Sequence, residues 1–175
     1  MSTKNIIFLV VVILAAAGLA GLFLVQRGVI NPPSPQTNKA APEFSFNDYN
    51  GKEVKLSDFR GKPILVNAWA AWCPFCREEL SDFAKVKEEF GGKFEVIAID
   101  RAEPLEVAKR YSDQLGVTEK FVFLLDPADS FYQSIGGFSM PETIFVDKDG
   151  KTVFHKRGPM KQEEIRRRIQ ENFNL

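Results

Sequence analysis

The pattern of apolar and polar positions divides the chain into a leading segment and one folded domain. Ile6–Val25 is a run of 20 residues without a charged side chain, and a helix of that length spans about 30 Å of bilayer hydrocarbon. The segment that follows contains three prolines among polar residues, a composition typical of an extended tether. We therefore predict a cytoplasmic N-terminus at residues 1–5, a transmembrane helix at 6–25, a Pro-rich tether at 26–40 and a folded domain at 41–175.

A cleaved signal peptide is the alternative interpretation of the leading segment. Ala15, Ala16 and Ala17 offer the small side chains of a cleavage site, but the apolar run continues for eight more residues. The apolar region of a signal peptide is usually only about 7 to 15 residues long. Both interpretations export the domain, and the length of the run favours an uncleaved anchor.

Short alternating or continuous apolar stretches and helically spaced apolar residues follow one another through the domain. The predicted strands are Phe44–Phe46, Glu53–Leu56, Pro63–Trp69, Phe94–Ile99, Phe121–Leu125, Thr143–Val146 and Thr152–His155. The predicted helices are Pro74–Phe90, Leu105–Leu115, Ala128–Ile135 and Lys161–Phe173. This order predicts an α/β sandwich with a mixed central sheet and helices on both faces.

The charge balance argues against a nucleic-acid partner. The whole chain has 23 basic and 23 acidic residues, and the first 40 residues contain three of the basic ones and no acidic one. Residues 41–175 are therefore slightly acidic, whereas binding to a phosphate backbone needs clustered Lys and Arg. We expect no nucleic acid among the partners.

The two cysteines carry the candidate chemistry. Cys73 and Cys76 are the only cysteines in the chain, and they stand where a buried strand gives way to a helix. The N-terminus of a helix stabilises a thiolate and lowers the pKa of the first cysteine, while Pro74 suits the first helical turn. We expect Cys73 to attack a disulfide and Cys76, one turn later, to resolve the mixed disulfide.

A zinc site is the competing interpretation of the cysteine pair. A closed zinc site takes four ligands, but the chain offers two cysteines and a single histidine, His155. That histidine stands on a predicted strand, where we expect a solvated side chain. We predict no metal and no cofactor other than the redox-active disulfide Cys73–Cys76.

Four stretches of the sequence together resemble the thioredoxin superfamily, and in particular its exported, membrane-anchored TlpA-, ResA- and CcmG-like branch. They are Ala41–Phe44, Gly51–Pro63, Asn67–Glu79 and Met140–Asp147. The resemblance implies a thioredoxin-like three-layer sandwich in which Pro141 is cis and faces the cysteine pair, with Met140 offering backbone groups to a partner. The substrate-binding residues that follow from it are Trp72, Pro74, Phe75, Met140 and Pro141.

One position departs from the thioredoxin pattern. Thioredoxins have a buried Asp six residues before the first cysteine, where this chain has Asn67, and an amide cannot exchange a proton near neutral pH. Glu79 stands three residues after Cys76, on the same face of the predicted helix, and the related branch also has Glu there. We predict that Glu79 joins Cys73 and Cys76 as a catalytic group, the alternative being a solvated carboxylate like Glu78.

The functional hypothesis is an extracytoplasmic thiol-disulfide oxidoreductase that reduces exported protein substrates. By resemblance to the CcmG-like members, which share Pro141-Glu142-Thr143, such a substrate is apocytochrome c during cytochrome c maturation. A membrane electron donor would re-reduce the enzyme, which would be a single-pass protein of the bacterial cytoplasmic membrane with its domain facing the periplasm or cell exterior. The alternatives are an oxidase that introduces disulfides and a membrane-tethered chaperone or binding module without turnover.

Overall fold

The computed structural model describes residues 5–6, 11–14 and 39–175. The chain divides into two compact units, Met1–Ser34 and Pro35–Leu175, and the folded domain belongs to the second. Within the described part, no helix is long and apolar enough to cross a membrane. Most of the predicted transmembrane helix, and nearly all of the predicted tether, lie outside the described residues.

The domain contains one sheet of eight strands. They are β1 (Lys39–Ala40), β2 (Ser45–Asp48), β3 (Glu53–Lys55), β4 (Ile64–Trp69), β5 (Glu95–Arg101), β6 (Val122–Asp126), β7 (Glu142–Val146) and β8 (Lys151–Arg157). Their order across the sheet is β1-β8-β7-β4-β5-β6-β2-β3. Strands β4, β5 and β6 are parallel, and the remaining neighbours pair antiparallel. The predicted mixed sheet is confirmed.

Four α-helices and one 3-10 helix cover the sheet. They are α1 (Pro74–Glu89), α2 (Leu105–Gln114), α3 (Ser130–Ser134), α4 (Gln162–Phe173) and the 3-10 helix Leu56–Phe59. Buried residues of α1, α2 and α4 share one apolar cluster, whereas Phe131 of α3 belongs to a second cluster with Leu56 and the opposite side chains of the strands. The helices therefore lie on both faces, as the sequence predicts.

Strand β4, which leads to the cysteines, lies between the two apolar clusters. All six residues of β4 are buried, because both of its faces are covered, and this explains its nearly continuous apolar sequence. On one face Trp69 belongs to the first cluster, which also contains Phe83 of α1 and Ile165 of α4, and on the other face Val66 belongs to the second cluster.

Most element boundaries differ from the sequence prediction by one or two residues, and one strand, β1, is additional to the predicted set. The helix α3 begins at Ser130 rather than Ala128, because Asp129 has a left-handed backbone with φ 54° and cannot continue a right-handed helix. Strand β1 lies before residue 41, with Lys39 opposite Thr152 of β8. Backbone hydrogen bonds can extend an open sheet edge whatever the side chains are, so no apolar pattern marks this strand.

Candidate active site

Cys73 and Cys76 form a disulfide at the N-terminus of α1. Cys73 is the residue that precedes the first helical turn, and its Sγ accepts a hydrogen bond from the backbone N–H of Cys76 at 3.2 Å. Pro74 occupies the first helical position, where the missing N–H leaves no hydrogen bond unmade. Cys73 is 2% exposed and Cys76 is 0% exposed, so only the first cysteine keeps an exposed surface.

A short turn connects β4 to this helix. The backbone N–H of Cys73 donates to the carbonyl of Ala70 at 3.1 Å, and the N–H of Ala71 donates to Oε2 of Glu103 at 2.6 Å. Trp69, at the end of β4, is fully buried and packs against the rings of Tyr111 and Phe123. The position of the turn is therefore fixed by the packing of Trp69, which precedes it, and by the hydrogen bond between Ala71 and Glu103.

The peptide bond between Met140 and Pro141 is cis. In the antiparallel pairing of β4 with β7, Glu142 lies opposite Ala68, so the two preceding residues stand beside the end of β4 where the cysteine turn begins. Pro141 is buried, and Met140 is half-buried and packs against the cluster that contains both cysteines. The structure thus brings the predicted Met140–Pro141 segment to the disulfide.

Exposed aromatic side chains belong to both segments of the site. Trp72 is 62% exposed and Phe75 is 56% exposed, and with exposed Pro74 they surround Cys73 in the sequence. Phe138, two residues before Met140, is 82% exposed. The sequence analysis did not select Phe138, although a phenylalanine beside the conspicuous Ser139-Met140-Pro141 segment was a signal that could have identified it.

Glu79 is buried within the domain, 1% exposed, on α1 one turn after Cys76. Its Oε1 accepts the backbone N–H of Met160 at 2.8 Å, and its Oε2 accepts Nδ2 of Asn67 at 2.9 Å. Burial raises the pKa of Glu79 to about 8, against the opposing effect of these two donors. Glu79 is therefore a carboxyl group that changes its charge near neutral pH.

The neighbouring carboxylate has a different environment. Glu78 is exposed and forms an ion pair with Lys161. Asn67 is fully buried on β4 and donates from Nδ2 both to Glu79 and to Oγ1 of Thr143, the latter at 2.9 Å. The position that holds an aspartate in thioredoxins is thus an amide that links Glu79 to strand β7.

The side chain of His155 is mostly buried, contrary to the sequence prediction. It was predicted to be solvated, but its side chain is only 18% exposed and its Nε2 lies 2.9 Å from Oε2 of Glu142. Glu142 is fully buried, and its Oε1 accepts the N–H groups of Phe138 and Ser139. The pairing depends on the register of β7 with β8, which one sequence does not reveal, so the sequence does not predict that His155 and Glu142 are partners.

Comparison with known proteins agrees with this geometry. The family model described as Redoxin matches residues 36–170. The thiol:disulfide interchange protein DsbE of Allochromatium vinosum is 36% identical over 154 residues, covering 84% of this chain and 79% of the relative. The thiol-disulfide oxidoreductase ResA of Bacillus thuringiensis subsp. konkukian is 28% identical over 166 residues, covering 94% of this chain and 95% of the relative.

A solved structure shows the same fold. A DsbE-type thiol:disulfide interchange protein from Chlorobium tepidum superposes with a TM-score of 0.71 at 24% identity, covering 77% of this chain and 96% of that one. The family match spans both cysteines, the cis-proline and the helix that carries Glu79. The chain therefore belongs to the Redoxin family, within the thioredoxin superfamily, and is a thiol-disulfide oxidoreductase.

Proposed function

We propose that the protein reduces disulfides of exported proteins, with Cys73 as the attacking thiolate and Cys76 as the resolving thiol. The Cys73 thiolate attacks a substrate disulfide, forms a mixed disulfide and releases one substrate thiolate. Cys76 then loses its proton, attacks Sγ of Cys73 and releases the second substrate thiolate. Two electrons pass to the substrate, and the enzyme is left with the Cys73–Cys76 disulfide, which a donor dithiol reduces again.

The observation that carries this mechanism is the buried carboxyl group of Glu79, one helical turn beyond the resolving cysteine. In the disulfide form burial holds the pKa of Glu79 at about 8, so at neutral pH the group is mostly protonated. When the donor reduces the enzyme, Cys76 leaves as a thiolate and takes this proton. Glu79 is then a carboxylate that can accept the proton back when Cys76 attacks, as a general base with a matched pKa does.

The exposed aromatic residues support a protein substrate. Trp72, Phe75 and Phe138 present large apolar surfaces that a folded monomer usually buries. An unfolded or extended polypeptide offers apolar side chains that can cover them, and the backbone beside cis-Pro141 can pair with such a segment, as the resemblance implies. Apocytochrome c, which must present its cysteines reduced for haem attachment, is the substrate that resemblance to the CcmG-like members favours.

Membrane attachment through the leading apolar segment is part of this proposal. The support is the run of 20 uncharged residues before the domain, and the resemblance to an exported, membrane-anchored branch points the same way. A donor that delivers electrons across the membrane would then meet the enzyme at the outer surface. Fractionation of cells with a protease-accessibility assay tests it: a full-length protein in the soluble fraction, or a protease-protected domain, contradicts the proposed location.

The reduction potential of the full-length protein in detergent micelles tests the direction of electron flow. Potentials of thioredoxin-like proteins extend from about −270 mV for thioredoxin to about −120 mV for the oxidant DsbA. A reductase requires a value near the thioredoxin end, and we expect this protein to have one. A value near the DsbA end would show instead that it introduces disulfides, and full substrate binding by a Cys73→Ser, Cys76→Ser variant would favour a chaperone.

A further inference from the structure

A second buried carboxyl group stands at the same edge of the sheet as the disulfide. Asp100 is the sixth residue of β5, is 0% exposed, and lies next to the end of β4 because it pairs with Trp69. Its Oδ1 accepts the backbone N–H of Glu103 at 3.0 Å. The carboxyl group of Glu103 in turn accepts the N–H of Ala71 at 2.6 Å. A chain of contacts therefore connects Asp100 to the turn that precedes Cys73.

The second carboxylate oxygen of Asp100, Oδ2, lacks an N–H or hydroxyl donor among the described residues. This oxygen is buried, while the carboxyl group of Glu103 lies within interaction distance. Two ionised carboxylates have no donor between them, whereas a protonated carboxyl group donates to a carboxylate. One shared proton therefore satisfies both groups.

The charged and titratable surroundings favour that shared proton. Besides Glu103, Asp126 at the end of β6 acts on Asp100 electrostatically, and Asp100 in turn acts on the half-buried Tyr49. Arg101, the next residue of β5, points to the opposite face, where it pairs with Asp129. With no cation among these neighbours, burial and Glu103 raise the pKa of Asp100 to about 8.

We propose that Asp100 is a positioning residue that shares one proton with Glu103, keeps the Glu103 carboxylate on the N–H of Ala71 and so fixes the turn that carries Cys73. The inference deepens the proposed function and rests on it only for the role of Cys73. Below the pH at which the proton is lost, Glu103 holds the turn. Above it two negative charges repel each other, the bond to Ala71 weakens, and the added charge disfavours a thiolate at Cys73.

The amide of Ala71 reports this arrangement directly. In the disulfide form neither cysteine titrates, so the ¹H and ¹⁵N shifts of Ala71 in the full-length protein can be followed from about pH 6 to 10 around the raised pKa of Asp100. We expect a one-proton step with a midpoint near 8 in the wild type. Asp100→Asn provides a permanent donor to Glu103, so the step should be lost while the shift stays at its low-pH value.

Glu106→Gln is the matched control, because Glu106 is an exposed carboxylate three residues after Glu103, in the first turn of α2, and it should retain the step. Glu79→Gln removes the other carboxyl group whose pKa burial raises to about 8, so the step must also be present in that variant. Its absence from the wild type or from Glu79→Gln, or its persistence when Asp100→Asn is added to Glu79→Gln, would overturn the proposal; the first two measurements decide even where the Asp100→Asn protein does not fold. The experiment uses no substrate. A failure of the proposed reductase activity would therefore leave its outcome unchanged, and the reverse also holds.

Discussion

Glu142 and His155 form a hydrogen-bonded pair between β7 and β8, with Oε2 and Nε2 2.9 Å apart. In the register of these strands His155 lies opposite Ile144, so the two side chains are diagonal neighbours on one face. The other oxygen of Glu142 accepts the N–H groups of Phe138 and Ser139. Through Glu142, hydrogen bonds therefore connect the segment before cis-Pro141 to His155 on strand β8.

Replacing Glu142 with Ala should release that segment. The substitution leaves the N–H groups of Phe138 and Ser139 without their acceptor, and each lost hydrogen bond should lower the unfolding free energy by about 0.5–1.5 kcal/mol. Denaturant unfolding measures the loss, and hydrogen exchange at residues 138 and 139 should become faster. Glu163→Ala, at a side chain that is 88% exposed, is the control; unchanged exchange at both amides in Glu142→Ala would contradict the assignment.

Glu79→Gln should slow thiol-disulfide exchange near neutral pH and change its pH profile. The variant keeps the size of the side chain but cannot take the proton from Cys76. Because burial raises the pKa of Glu79 in the disulfide form to about 8, an inflection near that pH should appear in the reaction that starts from this form, its reduction by a donor dithiol, and should disappear in the variant. Stopped-flow measurement of this reduction, and of substrate reduction by the reduced enzyme, from about pH 5 to 9 checks this expectation.

Glu78→Gln is the matched control for those kinetics, since Glu78 is the adjacent carboxylate of α1 and forms a surface ion pair with Lys161. It should change neither the rate nor the profile. An identical profile for wild type and Glu79→Gln would mean that the proton of Cys76 goes to water or to another group.

The free energy of unfolding should fall as the pH rises, partly because of Glu79. Its pKa is about 8 in the folded protein, against a usual value of 4.5, so between these values the unfolded chain has already lost a proton that the folded protein retains. Stability contributed by the protonated group is complete below the lower value and is lost as the pH approaches 8.

Removing this titration should flatten the curve. In Glu79→Gln the decline of unfolding free energy should be less steep by up to about 1.4 kcal/mol per pH unit, with Asp100 still contributing the remainder. Urea unfolding at a series of pH values measures both slopes. Parallel curves for the two proteins would show that Glu79 is ionised in the folded state at neutral pH.

The two cysteines should differ in reactivity after reduction. Cys73 lies at the start of α1, where the N–H of Cys76 points at its sulfur, and Cys76 is completely buried. In reduced single variants, iodoacetamide should modify the thiol that remains in Cys76→Ser about tenfold faster than the thiol that remains in Cys73→Ser. Mass spectrometry follows both reactions, and equal rates would refute the assignment of the attacking cysteine.

The same variants should separate the two chemical steps. Cys76→Ser can form the mixed disulfide but cannot resolve it, so a substrate protein should remain attached and be visible on a non-reducing gel. Cys73→Ser should trap nothing, and the double variant provides the background. Trapping through Cys73→Ser would reverse the proposed roles.

Local signals in the sequence were sufficient to predict the cysteine segment. A buried strand, a proline at the first helical turn and helically spaced apolar residues all belong to one continuous stretch around Cys73, and the observed α1 ends one residue before the predicted end. The spacing of Glu79 from Cys76 placed both on one face of the predicted helix but left a solvated carboxylate as the alternative, and the burial of Glu79 in the structure excludes that alternative. Resemblance, rather than residue patterns, supplied the cis bond at Pro141.

Contacts between distant segments could not be predicted in the same way. The Glu79–Met160 hydrogen bond joins residues 81 positions apart, and the Ala71–Glu103 bond joins residues 32 apart. Each depends on strand order and register, which no local pattern encodes. For the same reason His155 was taken for a solvated residue, because its partner becomes its neighbour only when β7 and β8 pair.

The burial of Cys76 limits how the enzyme can meet its two partners. Because that residue has no exposed surface, we expect the sulfur of another protein, whether oxidised substrate or electron donor, to bond only to Cys73. The two partners would then form their mixed disulfides with the same cysteine, one after the other, and no covalent complex would contain both partners. Turnover consequently consists of two alternating half-reactions, with parallel double-reciprocal plots and inhibition by an excess of either partner.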